Sequence, residues 1–87
     1  MKEFVKVYCD IPALVTIYDE KIENLILFAM KQLEIAGVTT DENNEVVKEF
    51  VATYCRLRLI SEPSKVFQDS ENKRLGMLIE LLTYGGQ

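Results

Sequence analysis

The chain has 87 residues, of which 48 % are hydrophobic and 28 % charged, and its formal net charge is −4. That much apolar content excludes disorder, and the length fits one small domain over residues 1–87. The acid excess, with no block of like charge, speaks against an autonomous nucleic-acid binder and against attraction to an anionic membrane surface.

Residues 2–9 (KEFVKVYC) read as a short helix or an extended arm, with Phe4, Val5 and Tyr8 at helical spacing and Asp10-Ile11-Pro12 ending it. With no second β-type run to pair with, helix is the better reading. Residues 12–18 form a connecting turn. The clearest helix spans 19–36, where Ile22, Leu25, Ile26, Ala29, Leu33 and Ala36 follow i, i+3, i+4, i+7 spacing. Asp19 suits its N-cap, Glu20 complements the dipole, and Gly37 suits the left-handed position past its end. A second long helix covers 42–60, capped by Thr40 or Asp41, with one stripe of Val46, Phe50, Thr53, Leu57 and Ile60. Residues 61–68 form a loop broken by Pro63. A last helix covers 70–84, capped by Asp69 or Ser70, with Glu71 in its first turn, Leu75, Leu78, Ile79 and Leu82 inward, and Gly85-Gly86 as its stop. The expectation is an all-α fold, a compact bundle of about four helices, two long and two shorter.

The sequence has no histidine. That removes the commonest general base and metal ligand, and every Ser/His or Cys/His arrangement. Cys9 and Cys55 sit among apolar neighbours without Cys-x-x-Cys spacing and read as buried free thiols of a reducing cytoplasm. Asp41-Glu42-Asn43-Asn44-Glu45 resembles part of a calcium loop, but Val46 stands where that loop needs glycine and Ala52 where it needs glutamate. No phosphate-cradling glycine loop occurs. Arg56 and Arg58 project to different sides of their helix, unlike a DNA-reading face, and read as solvated or paired with acidic groups. Gly76, inside a helix at a cost of about 1 kcal/mol relative to alanine, marks a close approach, either within the bundle or by another chain. The expectations are no enzyme activity, no cofactor, no metal and no small-molecule substrate. Met1-Lys2-Glu3 leads into no apolar run, so neither a signal peptide nor a membrane span is expected.

Three helices carry more apolar residues than one inward face uses. Phe28 and Ile35 lie off the Ile22/Leu33 stripe. Val51, Cys55 and Leu59 form a second stripe on their helix. Met77, Leu81 and Tyr84 oppose Leu75, Ile79 and Leu82. Part of this surplus is expected to meet other chains. The candidate protein-interface residues are Phe28, Ile35, Met77, Leu81 and Tyr84.

Taken in order, KEFVKVYCDIP, the helix with Asp19-Glu20, Ile22, Leu25-Ile26, Ala29 and Ala36-Gly37, the Val46–Tyr54 run, and the closing Leu78-Ile79-Glu80-Leu81-Leu82 resemble the small head–tail connector (adaptor) or DNA-packaging proteins of tailed bacteriophages and prophages. The resemblance runs over nearly the whole chain and rests on helix patterns. The chain stands at the short end of that family, with an abbreviated loop over 61–69. The resemblance implies a structural virion protein, made in the bacterial host cytoplasm, that forms a ring between portal and tail and helps retain packaged DNA. Its partners would be copies of itself and the portal and tail or head-completion proteins, without sequence-specific DNA binding. The alternative from another class is a small helical regulatory or adaptor module binding one bacterial protein. Neighbouring genes for portal, capsid and tail proteins would favour the connector; a lone gene or two-gene operon would favour the regulator.

Overall fold

The computed structural model describes residues 1–84. Its elements are α1 (Lys2–Tyr8), α2 (Asp19–Ile35), α3 (Glu45–Leu59) and α4 (Lys65–Tyr84), with no strand among the described residues. The fold is an all-α bundle of four helices, and residues 2–8 are helix rather than arm. The expected stop at Gly85-Gly86 lies outside the described residues.

The core is organised around α3, against which each of the other three helices packs. Its Val47, Phe50, Val51, Ala52, Thr53, Tyr54, Cys55 and Leu57 are all buried, so the helix is enclosed on nearly every side. Val5 from α1, Ile22, Ala29 and Leu33 from α2, and Leu82 from α4 close around it. Each such large apolar side chain contributes about 1.5–3 kcal/mol by leaving water. This enclosure accounts for one of the three surplus apolar faces. The second α3 stripe is internal, because Val51 and Cys55 are fully buried and Leu59 packs partly against the same core.

Helix directions follow from side-chain pairs. Phe4 lies under Lys48 and the Tyr8 hydroxyl is 3.2 Å from that of Thr53, so α1 runs parallel to α3. Arg74 bonds Glu49 at 2.8 Å while Glu71 lies opposite Arg56, so α4 runs antiparallel to α3. Tyr18, at the start of α2, shares a groove with Leu59 and Ile60 at the end of α3, so α2 is antiparallel as well. Therefore α2 and α4 point the same way, and each packs chiefly on α3.

The helix ends explain the shifted boundaries. Both α1 and α2 close in the same six-residue motif. Val38 N–H donates to the Leu33 carbonyl and Gly37 N–H to that of Glu34, with Gly37 at φ +76° as expected. In α1, Ile11 N–H donates to Lys6 and Asp10 N–H to Val7, and Asp10 holds the left-handed position at φ +59°. The α3 cap is Asn44, whose Oδ1 accepts from Val46 N–H and Val47 N–H at 2.8 and 3.2 Å. Asp41, an expected cap, instead accepts from Asn43 N–H in a turn that delays the helix. The longest helix is α4, not one of the shorter pair: it starts at Lys65, two residues after Pro63, with Ser64 Oγ accepting from Phe67 N–H. Asp69, Ser70 and Glu71 are thus interior to it, and Glu71 is buried against α3 instead of complementing a first turn. Asp19 is the first residue of α2 and makes no cap bond. Its carboxylate faces Lys6, which is 5 % exposed and donates to Asp19 Oδ1 at 2.8 Å and to the Ala13 and Val15 carbonyls at 3.1 and 2.7 Å.

Candidate interaction surface

An amphipathic helix packed on one side leaves its far side to solvent, and the far side is normally polar. On α2 and α4 large apolar residues interrupt it. Inward, α2 places Ile22, Ala29 and Leu33 in the core, and α4 places Leu82 there with Leu75, Leu78 and Ile79 half-buried. Outward, Phe28, Ile35, Met77, Leu81 and Tyr84 are all between 55 and 85 % exposed. The structure therefore divides these five into two patches, Phe28 and Ile35 on α2 and Met77, Leu81 and Tyr84 on α4. The α4 patch lines a shallow groove together with Glu80.

Other exposed apolar residues join the α2 patch. Leu27 stands beside Phe28, and Ile17, from the turn ahead of α2, lines one depression with Phe28. Leu14 in the same turn is almost fully exposed. Periodicity could not find Ile17 or Leu14, because a turn has no period. The signal was only the density of large apolar residues in a segment with no core to serve.

Gly76 lies mid-helix on α4, and a Cβ there would meet nothing within 4 Å. It does not mark a close approach inside the bundle. Its exposed position adjoins Met77.

Arg56 ties α3 to α4, while Arg58 covers a ring of its own helix. Arg56 spreads over the Phe67 ring at 5.4 Å and Arg58 over Tyr54 at 4.0 Å. Glu71 has its Oε1 buried 4.0 Å from Arg56, without a hydrogen bond among the described residues. A groove of about 300 Å³ between the α1 end, Tyr18 and the α3 end contains Cys9 beside Arg56. Burial pushes the Cys9 thiol up despite the guanidinium, and pushes Cys55 up to about 12. Both thiols stay protonated at neutral pH, so neither is an activated nucleophile. Among the described residues no cluster of three or more His, Cys, Asp or Glu is placed to hold a metal ion, and no helix is long and apolar enough to cross a membrane.

No protein-family model, curated protein or solved structure matches this chain.

Proposed function

We propose that this chain acts by binding other protein chains, as a subunit of the ring that joins head to tail in a tailed bacteriophage or prophage particle. The observation that carries the reading is the pair of exposed apolar patches on two helices that each pack chiefly on α3. A ring subunit needs two unlike surfaces, one for the copy on each side. The helix-by-helix resemblance to head–tail connectors adds the place in the virion, between portal and tail proteins. A subunit of this kind needs no catalytic group.

Phage carrying Tyr84→Asp test the reading. Tyr84 is 85 % exposed, so the variant folds, and the charge disables the α4 patch. Electron microscopy of lysates is expected to show filled heads and free tails accumulating apart. Normal yields of complete particles would remove Tyr84 from the interface. Arrest before capsid formation would overturn the connector role.

A further inference from the structure

The outward faces of α2 and α4 carry matching patterns. On α2 the exposed residues Phe28, Lys31 and Ile35 fall at i, i+3, i+7; on α4, Met77, Glu80 and Tyr84 fall at the same spacing. Residues so spaced form the seam of a helix pair, and in a parallel pair each seam position meets its counterpart. Phe28 would then cover Met77, Ile35 would cover Tyr84, and the one charged layer would set Lys31 against Glu80.

The flanks agree with this register. In a parallel pair the residue before the first seam position faces the residue after the second on the other helix. That brings Leu27 against Leu81, both exposed, and Gln32 against Gly76, where a Cβ would meet nothing. Two turns earlier Lys21 would face Ser70 and Asn24 would face Lys73, so no layer opposes like charges. The residues turned away from the seam are those already in the core: Ala29 and Leu33 on α2, and Leu82 on α4. Among the described residues Lys31 pairs only with Glu34, at an exposed 3.3 Å, and Glu80 has no ion pair.

Direction agrees too. Because α2 and α4 both run antiparallel to α3, neighbours turned about an axis along the helices present α4 and α2 to each other in parallel. We infer that α4 of one copy packs parallel against α2 of the next, seating Met77, Glu80 and Tyr84 on Phe28, Lys31 and Ile35. The pairing deepens the ring reading and takes its occupant, a second copy, from it. The two patches differ, so copies add head to tail and either close a ring or extend.

Two charged variants, each disabling one patch, test the pairing by sedimentation velocity at high micromolar concentration. Wild-type chains are expected to form species larger than dimers. Phe28→Asp and Leu81→Asp chains are each expected to stay monomeric with wild-type helical spectra. Mixed in equal amounts they are expected to form a two-chain complex and stop, because each supplies the patch the other lacks. Charge reversal supplies a milder pair of variants. Lys31→Glu or Glu80→Lys alone should weaken association on the order of tenfold or more, and the double exchange should restore it. Phe28→Asp chains that dimerise alone would show an α4–α4 contact and overturn the pairing. So would a mixture that stays monomeric, or a wild-type chain that never associates. The connector reading fails separately: copies that pair as described in a phage whose particles complete normally with Leu81→Asp would overturn that reading and leave the pairing standing.

Discussion

Replacing Lys6 by methionine keeps the aliphatic stem in the core and removes the ammonium that ties α1 to the following turn and to the start of α2. The ammonium donates to three oxygens, of Ala13, Val15 and Asp19. Hydrogen bonds to a charged group contribute about 1.5–3 kcal/mol each. Water reaches Ala13 and part of the Asp19 carboxylate, so those acceptors recover some solvation, whereas the Val15 carbonyl recovers less. The expected loss is about 2–4 kcal/mol, well below a full buried-pair penalty doubled over three bonds. Against a total stability of about 5–15 kcal/mol this is readily measured from urea midpoints at neutral pH. The pH dependence has a definite sign. The hydrogen bond from Lys6, with the charges of Lys6 and Lys2, holds the Asp19 carboxyl below its ordinary range. A carboxyl depressed in the fold contributes fully above the unfolded carboxylate value, and the contribution is lost as pH falls through the folded value. The gap between wild type and Lys6→Met should therefore narrow on acidification by the Asp19 share, while the bonds to the Ala13 and Val15 carbonyls keep the rest. A Lys6→Met chain within about 0.5 kcal/mol of wild type at neutral pH would refute the clasp.

Leu33→Ala should cost roughly 2–5 kcal/mol and Ile35→Ala no more than about 0.5, because Leu33 is fully buried and Ile35 is 71 % exposed. Equal shifts in denaturation midpoint would mean that the phase of α2 is wrong. Asp10→Gly should stabilise the chain by about 0.5–1 kcal/mol, since Asp10 closes α1 at a positive φ that glycine adopts without strain. Thermal melting of the two proteins side by side checks this, and an unchanged or lower midpoint would place Asp10 outside the left-handed region.

The fold was legible where apolar period and helix punctuation agree. The stripe from Ile22 to Leu33 and the glycine at 37 fixed α2 almost to the residue. Caps were less legible, because Thr40, Asp41, Asn43 and Asn44 are all competent and only the turn made by Asp41 decides for Asn44. Pro63 suggested a longer loop than exists. A proline just ahead of a cap starts a helix as readily as it ends one, and Ser64 supplies the cap. Lys6 could not be anticipated, since its burial depends on carbonyls from a turn with no regular pattern.

The candidate surface depended on knowing which helix sits in the middle. An apolar second stripe has the same appearance whether it faces a neighbouring helix or solvent. On α3 it faces neighbours, because three helices surround it. On α2 and α4 it does not, because each leans on α3 by one side only. A bundle this small has room for one enclosed helix, so its flanking helices keep their outer faces. Enclosing α3 therefore leaves α2 and α4 with unlike apolar surfaces that run in the same direction. On the proposed pairing, those features would let copies of one chain join in series, so charged changes at Phe28 or Tyr84 should act on assembly, whereas changes at the buried Val51 or Cys55 should act on folding.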